Sequence, residues 1–208
     1  MLHITNLSKT YGRKRVIDDV TLSIPSTGIH VIGGANGNGK TTLFKCLAGL
    51  ESHTGQARWY DDSLKPHVSI AFDESAIHDR LSGLGNLSAL LDIRRSEVVC
   101  NSYIRLFLDA QLLAKKTSSY SLGQRKKLKL AAAFAYERPC ILLDEPASGL
   151  DKSGRNALHR AIELVADTTC VIISDHEGLF HQDLISSEFT IRQGKIDSTQ
   201  NWKSESHE

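Results

Sequence analysis

The sequence predicts an α/β fold with a mainly parallel central sheet. Three short apolar runs, at residues 29–32, 140–143 and 169–174, lack the alternation expected of a half-exposed strand. Such runs are typical of strands that are covered on both faces of a parallel sheet. Segments with apolar residues at helical spacing, such as 43–50 and 158–165, follow or separate these runs. The length of 208 residues suits one domain with an inserted subdomain.

A glycine-rich loop connects the first apolar run to the first helical segment. Its sequence, GANGNGKTT at 34–42, matches the phosphate-binding pattern G-x-x-x-x-G-K-[ST] in full. Glycines let the backbone curl with its N–H groups inward, and the helix that follows directs its positive dipole end at the same point. Lys40 supplies a positive charge for the β- and γ-phosphates, and the Thr41 hydroxyl is a suitable Mg2+ ligand. We therefore predict that this loop binds ATP with Mg2+ through Asn36, Gly37, Asn38, Gly39, Lys40, Thr41 and Thr42.

A pair of acids ends the second apolar run. Asp144 and Glu145 follow it directly, and ligands of such sheets lie at the carboxyl ends of the strands. We expect Asp144 to lie beside the phosphate loop and to reach Mg2+, directly or through water. Glu145 is the candidate general base that polarises a water for attack on the γ-phosphate, which typically contributes about 10²–10⁴-fold to the rate.

The remaining segments predict a small antiparallel β subdomain and an inserted helical subdomain. Residues 3–24 have the alternation of half-buried antiparallel strands, and a closing hairpin is predicted at 189–196. Between them, Ser82 is a good N-cap for one helix, and a second helix is expected over 104–112. We predict a single domain over 1–197 with a helical subdomain at about 76–136. The polar tail at 198–208 is expected to be disordered.

Composition narrows the possible partners and compartments. Lys and Arg number 25 against 24 Asp and Glu, which disfavours nucleic acid as a partner. The basic stretch at 125–129 is predicted to be a solvated helix face, with nucleic-acid binding, phosphate steering or a membrane-subunit contact as alternatives. No signal-peptide pattern opens the sequence, and its apolar runs are far shorter than a membrane span of about 20 residues. The four scattered cysteines are expected to be buried free thiols in a reducing cytoplasm.

The segment SLGQR at 121–125 narrows the prediction from a nucleotide-binding fold to one family. Together with the phosphate loop and the Asp144-Glu145 pair, it resembles the signature of ATP-binding cassette (ABC) ATPases. The motifs stand in the family's order and cover nearly the whole chain. The implied fold is that of the P-loop NTPases, with a mainly parallel sheet, a small antiparallel β subdomain and an inserted helical subdomain.

The resemblance implies roles for residues around the chain's own nucleotide. Tyr11 matches the aromatic residue that stacks on adenine, Asp144 the Mg2+ acid and Glu145 the catalytic base. His176 matches the switch histidine that contacts the γ-phosphate. Asp73 is aligned with a glutamine of the family that ligates Mg2+, and it is our third candidate metal ligand beside Thr41 and Asp144.

Other residues match positions that serve the nucleotide of an opposite subunit. Ser121, Gly123 and Gln124 match the signature that binds the γ-phosphate held by the partner, and Asp151 belongs to a loop that crosses between the two sites. Ser121 is also predicted to cap the helix that follows it. A serine at a helix N-terminus suits an anion on physical grounds as well, because it offers a hydroxyl, free amides and a positive dipole end. ATP would then join two subunits, and hydrolysis would let them separate.

The function implied by the resemblance is that of an ATP-hydrolysing ABC transporter subunit. It would form a homodimer or heterodimer around two Mg-ATP and drive a separate integral membrane subunit, from the cytoplasm and peripheral on the inner face of the cell membrane. Nucleic acid is not an expected partner. Two alternatives remain open: a soluble cassette that remodels a protein or nucleic-acid assembly, and a degenerate cassette that binds ATP with little hydrolysis.

Several positions depart from the family pattern. Asp73 replaces the glutamine; it can still ligate Mg2+, or Glu74 takes its place after a shift of one residue. Leu122 stands where glycine is usual. Both changes resemble the bacitracin and lantibiotic self-protection branch, which favours export as the direction of transport. Asp175 and Ala147 each replace a threonine, and we expect these changes to affect hydrolysis more than ATP binding.

Overall fold

The computed structural model describes residues 1–73, 77–175 and 184–201, with side chains described up to residue 196. The chain divides into two compact units. The first unit contains Met1–Ile70, Arg138–Glu145 and the described residues from Val165 onward. The second contains Ala71–Glu137 and Pro146–Leu164, and it therefore includes the predicted helical insertion together with a later segment.

A four-stranded antiparallel sheet forms one part of the first unit. Its strands lie in the order β2-β1-β4-β5. They are β1 (Leu2–Tyr11), β2 (Lys14–Ile24), β4 (Thr54–Trp59) and β5 (Asp62–Ser63). Val20 and Ile24 of β2 are buried while Thr21 and Ser23 are exposed, which confirms the predicted half-buried strand. The turn between β1 and β2 leaves Tyr11 opposite Lys14 at the end of the ladder.

A six-stranded sheet, in the order β10-β9-β3-β8-β7-β6, carries the phosphate-binding loop. Its strands are β3 (Gly28–Gly33), β6 (Val68–Ala71), β7 (Cys140–Asp144), β8 (Cys170–Asp175), β9 (Ser187–Arg192) and β10 (Lys195–Asn201). Strands β7, β8, β3 and β9 run parallel, and every residue of β7 is buried. The predicted mainly parallel sheet is therefore confirmed. The helix α1 (Lys40–Leu47) follows β3 through the glycine loop.

The closing hairpin extends further than the sequence suggested. Gln193 and Gly194 both adopt positive φ angles in the two-residue turn between β9 and β10, as a tight hairpin requires. Strand β10 runs to Asn201, so the first four residues of the predicted disordered tail are a strand. The rest of that predicted tail lies outside the described residues.

Helices make up the second unit. They are α2 (Gly83–Leu91), α3 (Arg95–Cys100), α4 (Ser102–Phe107), α5 (Ala110–Ala114), α6 (Leu122–Ala135) and α7 (Lys152–Val165). Ser82 caps α2 as predicted, with its side chain accepting a hydrogen bond from the Gly85 amide. The single helix predicted over 104–112 is wrong: Leu108 is extended, and Asp109 caps a new helix by accepting from the Leu112 amide at 2.7 Å.

The cysteines follow the prediction at three of four positions. Cys46, Cys140 and Cys170 are buried free thiols, whereas Cys100, at the end of α3, is a free thiol that is exposed. Burial raises the pKa of the Cys46 thiol to about 11, so it is protonated at neutral pH. None of the described residues forms a helix that is both long and apolar enough to cross a membrane.

Candidate functional site

The phosphate loop has backbone angles that require glycine at two positions. Gly34 has a φ of 140° and Gly39 a φ of 105°. A Cβ on Gly34 would lie 2.5 Å from the Ile191 carbonyl oxygen, and one on Gly39 would lie 2.8 Å from the Ile17 side chain. The loop is also tied to β9, because the Asn38 side-chain amide donates to the Ile191 carbonyl at 3.2 Å. The loop is therefore shaped by its neighbours before any ligand binds.

Lys40 is buried at the start of α1. Its Nζ donates to the Gly34 carbonyl oxygen at 2.6 Å and lies 3.8 Å from Glu145 Oε1. The ammonium group is thus held within the loop, where a phosphate oxygen would be a stronger acceptor than the carbonyl.

Asp144, the predicted Mg2+ acid, lies against the loop as expected. Thr41 Oγ1 donates to Asp144 Oδ2 at 2.7 Å, and Ser174 Oγ donates to Asp144 Oδ1 at 2.6 Å. The carboxylate is nearly buried, and its hydrogen-bond partners in the described part of the chain are these two hydroxyl groups. A buried carboxylate without a cation is costly, so the arrangement suits a metal ion.

Ser174 is a site residue that the sequence analysis missed. Besides holding Asp144, its Oγ accepts a hydrogen bond from the Glu145 amide at 2.9 Å. One hydroxyl therefore positions both members of the acid pair. The available signal was a polar residue near the end of an apolar strand, but its partner lies 30 positions away in sequence, on the neighbouring strand.

Glu145 adopts an uncommon backbone conformation. Its φ of 46° lies in the left-handed region, which costs a residue with a Cβ about 1–2 kcal/mol. Strain of this kind is found where a site fixes a side chain in one orientation. The carboxylate is partly exposed and lines the cavity above the loop.

A cavity of about 310 Å³ joins these groups in the first unit. It is lined by Val16, Asn36, Gly37, Gly39, Lys40, Thr41, Thr42 and Glu145. Among the described residues, no group of three or more His, Cys, Asp or Glu side chains could hold a metal ion by itself. Mg2+ would therefore need phosphate oxygens in addition to Thr41 and Asp144, as is usual for this ion at nucleotide sites.

Tyr11, the predicted adenine platform, is at the end of β1. Its side chain is 44% exposed, and Lys9 Nζ lies 4.7 Å from the centre of its ring. The ring is therefore accessible to a ligand while one side of it is in contact with a cation. His176, the predicted switch histidine, lies outside the described residues, as does Glu74.

The signature residues form the N-terminus of α6 in the second unit. The Gln124 amide donates to Ser121 Oγ at 3.2 Å, and the Ser121 amide donates to Gln124 Oε1 at 2.9 Å. This capping box confirms Ser121 as the predicted cap. The backbone around Gly123 is close to a second loop, since a Cβ there would lie 3.0 Å from the Gly149 carbonyl oxygen. Leu122 is 86% exposed, an unusual state for a leucine.

Asp151 is held by its own chain at the start of α7. Lys127 Nζ lies 2.8 Å from its Oδ1, and the Gly154 amide donates to the same oxygen at 2.8 Å. These hydrogen bonds, that from Lys127 first, lower the pKa of Asp151 to about 2.

Asp73 is engaged by two lysines of α6. Lys126 Nζ lies 2.9 Å from Asp73 Oδ1, and Lys129 Nζ donates to the Asp73 carbonyl oxygen. Lys126 is only 7% exposed, so the prediction of a solvated basic face is wrong at this position. Any Mg2+ ligation by Asp73 would compete with Lys126 for the same carboxylate.

The phosphate loop, the acid pair and the parallel sheet together define a nucleoside-triphosphatase of the P-loop class. Comparison with known proteins extends this assignment: the family model described as "ABC transporter" matches residues 17–148. The chain therefore belongs to the ABC transporter family, as one of its ATP-binding, ATP-hydrolysing subunits.

Similar proteins differ in their transport roles. The chain is 28% identical over 186 residues to the lantibiotic transport ATP-binding protein SrtF of Streptococcus pyogenes, covering 85% of this chain and 80% of the relative. It is 31% identical over 180 residues to the aliphatic sulfonates import ATP-binding protein SsuB 1 of Paracoccus denitrificans, covering 83% and 72%. The fold matches the dimeric cassette MJ0796 bound to ADP and Pi with a TM-score of 0.82, at 17% identity, over 96% of this chain and 99% of that one.

Proposed function

We propose that this subunit binds Mg-ATP in the phosphate loop, pairs with a second cassette around two nucleotides and hydrolyses them to drive a separate integral membrane subunit. The observation that carries the proposal is the arrangement around the cavity. Thr41 and Asp144 oxygens are 2.7 Å apart, and Lys40 lies 3.8 Å from Glu145. Lys40, Thr41 and Glu145 line one cavity, and Asp144 is hydrogen-bonded to Thr41. A phosphate-binding cation, two hard oxygen ligands and a candidate general base therefore lie together.

Each residue then has a defined task in hydrolysis. Lys40 and the loop amides bind the β- and γ-phosphates, and Thr41 and Asp144 would hold Mg2+. The ion would neutralise charge that develops on the phosphate oxygens. Glu145 orients a water and accepts its proton, while Ser174 keeps the Glu145 backbone in place. For His176 we propose contact with the γ-phosphate, on the strength of the resemblance alone.

The second half of each nucleotide site comes from the partner cassette in this proposal. Ser121 Oγ accepts from the Gln124 amide, which leaves the hydroxyl hydrogen available to donate to a phosphate oxygen. Gly123 and the dipole of α6 add further attraction for an anion, and Asp151 would mark the loop that runs between the two sites. Support for pairing comes from the dimeric description of MJ0796.

We assign export as the direction of transport and the inner face of the cell membrane as the place of work. Asp73 and Leu122, the two departures shared with the self-protection branch, support this choice, and SrtF is a lantibiotic transport protein. Import proteins among the similar proteins, such as SsuB 1, argue against it. If the subunit serves export, deleting its gene will sensitise the cells to added peptide antibiotics without reducing the uptake of sulfonates. Unchanged sensitivity would contradict the assignment.

The deciding experiment for the ATPase cycle compares the native subunit with Glu145→Gln. Removing the base should lower steady-state ATP turnover by at least about 10²-fold, because general-base catalysis contributes about that much. ATP-dependent pairing should persist in the variant, measured by size-exclusion chromatography at saturating Mg-ATP. If the native subunit turns over ATP readily and Glu145→Gln does so at the same rate, Glu145 is rejected as the base.

One observation favours a second candidate, a cassette that binds ATP but turns it over slowly. The Asp73 carboxylate is paired with Lys126, which would withhold it from Mg2+. In this case the native turnover would already be as low as that of Glu145→Gln, while ATP-dependent pairing would be normal. Lys126→Met, which frees Asp73, would then raise the native rate.

A further inference from the structure

Lys9, next to the exposed Tyr11, is almost completely buried. Only 8% of its surface is exposed, although lysine is among the residues least often buried without a partner. Lys9 and Tyr11 are two residues apart on β1, so their side chains share one face of the strand. Lys9 Nζ lies 4.7 Å from the centre of the Tyr11 ring, within the range of a cation–π interaction.

The ammonium group of Lys9 has its other donors fixed. It donates to the Ser52 carbonyl oxygen at 2.7 Å and lies 2.9 Å from Glu51 Oε2. The Ser52 hydroxyl oxygen is a third, longer contact at 3.4 Å. The positive charge of the ammonium is attracted to the electron-rich face of the Tyr11 ring whichever acceptors its N–H groups use. The lysine is therefore held in place as a cation that covers one side of the aromatic ring.

Glu51 is the charged partner that holds the Lys9 ammonium group beside the ring. Its Oε2 lies 2.9 Å from Lys9 Nζ. The bond to Lys9 is the largest cause that lowers the pKa of Glu51, and the same bond raises the pKa of Lys9. Both groups therefore remain charged at neutral pH, and the cation stays against one face of the Tyr11 ring.

This cluster is also tied to the helix that follows the phosphate loop. Glu51 and Ser52 come shortly after α1, and the Glu51 amide donates to the Lys45 carbonyl oxygen of α1 at 3.2 Å. The position of the Tyr11 ring is thus set relative to the helix whose first residues line the phosphate cavity. A ring that was free to rotate would have to be ordered when a ligand bound, which would weaken binding.

We propose that Lys9 and Glu51 are positioning residues that hold Tyr11 as a one-sided stacking platform for the adenine of ATP. The proposal rests on the proposed function, in which Tyr11 contacts the base. Lys9 occupies one face of the ring and leaves the other for the base, while Glu51 fixes the position of the Lys9 ammonium group. These two residues thereby add to the preference for a nucleotide over its bare phosphate chain.

The test measures the dissociation constants of Mg-ATP and of Mg-tripolyphosphate, which has the three phosphates but no base, by isothermal titration calorimetry. Lys9→Met keeps the aliphatic stem but removes the charge. We expect it to weaken ATP binding about fivefold, the effect of losing roughly 1 kcal/mol of cation–π support, and to leave tripolyphosphate binding unchanged. Lys9→Arg should retain the native preference. The proposal would be overturned if Lys9→Met weakened the binding of both ligands equally, or if it changed the binding of neither.

Two further variants keep the test decisive even if Lys9→Met does not fold. If Lys9→Met does not fold, Glu51→Gln can replace it, because glutamine has the same shape as glutamate. Glu51→Gln should weaken the binding of ATP about two- to threefold and leave the binding of tripolyphosphate unchanged. Tyr11→Ala should abolish the preference for ATP. If it does not, the role of Tyr11 as a platform is refuted. The proposed function still holds in that case, provided that Lys40→Ala weakens the binding of both ligands and the native protein hydrolyses ATP.

Discussion

The phosphate loop and the signature differ in how completely each is built by its own unit. Around Asp144, the hydrogen bonds from Thr41 and Ser174 fix both carboxylate oxygens in a nearly buried setting. At the N-terminus of α6, Ser121 is exposed and Leu122 is 86% exposed. In the proposed function, the first region is a finished half-site that needs only its ligand. The second region would bind an anion, and the described part of the chain leaves its first residues exposed, as a site shared with another cassette would require.

The largest effect that would test this difference is expected from Ser121→Ala. Loss of the hydroxyl removes one hydrogen bond to a charged phosphate from each of the two nucleotide sites in the paired cassettes. Each such bond contributes about 1.5–3 kcal/mol. ATP-dependent pairing of the Glu145→Gln form should weaken about a hundredfold, measured by analytical ultracentrifugation. ATP binding by the single subunit should not change.

A matched control for Ser121 is Ser82, which caps α2 in the same unit. Ser82→Ala should cost about 1 kcal/mol of stability, as expected for the loss of an N-cap, and leave pairing intact. If both serine variants impair pairing equally, Ser121 acts as a cap alone and the signature is not a phosphate site.

A smaller effect is expected from Ser174→Ala within the finished half-site. The substitution removes one of the two hydroxyl donors to Asp144 and one acceptor of the Glu145 amide, which still has the Ser174 carbonyl oxygen at 3.2 Å. The free energy of unfolding should therefore fall by about 1–3 kcal/mol. Because the Glu145 backbone loses part of its support, kcat should also fall about tenfold. Chemical denaturation and steady-state kinetics measure the two quantities separately.

Ser187 on β9 provides the comparison for Ser174. It is also buried, and its Oγ lies 2.7 Å from His30 Nδ1, away from the phosphate loop. Ser187→Ala should lose similar stability while keeping the native kcat. A tenfold loss of kcat in both variants would mean that Ser174 acts only through stability.

The smallest effect concerns the pH response of Asp151 in the second unit. Lys127 is the main cause of its pKa of about 2, against an ordinary value of 3.8. Since a lowered carboxylate pKa stabilises the fold above the ordinary value, this contribution is lost as pH falls from about 4 towards 2. Lys127→Met should raise the pKa of Asp151 towards its ordinary value, as measured by NMR titration. The melting temperature at pH 7 should hardly change, because exposed ion pairs contribute little.

Local signals in the sequence predicted much of the molecule. The glycine loop between an apolar run and a helix, the acids that end β7, and the serine caps of α2 and α6 each depend on a few adjacent residues. For the same reason, the proximity of Asp144 to the phosphate loop was predictable, since parallel strands bring their carboxyl ends to one edge. The catalytic and binding roles of these residues remain predictions.

Features that depend on competing local signals or on distant partners were not predicted. The break between α4 and α5 arises because Asp109 competes as a cap with the continuing apolar pattern. Burial of Lys126 depends on Asp73, which lies 53 positions earlier, and burial of Lys9 depends on a residue pair after α1. A charged residue looks solvated in a sequence until the partner that neutralises it is known.

The backbone angle at Glu145 has a consequence for protein engineering. A glycine adopts the left-handed conformation at no steric cost, so replacing this glutamate with glycine would relieve about 1–2 kcal/mol of strain. Laboratory evolution that selects for heat resistance alone would therefore favour a variant that has lost the proposed proton acceptor. Such a screen must also select for ATP turnover if the enzyme is to remain active.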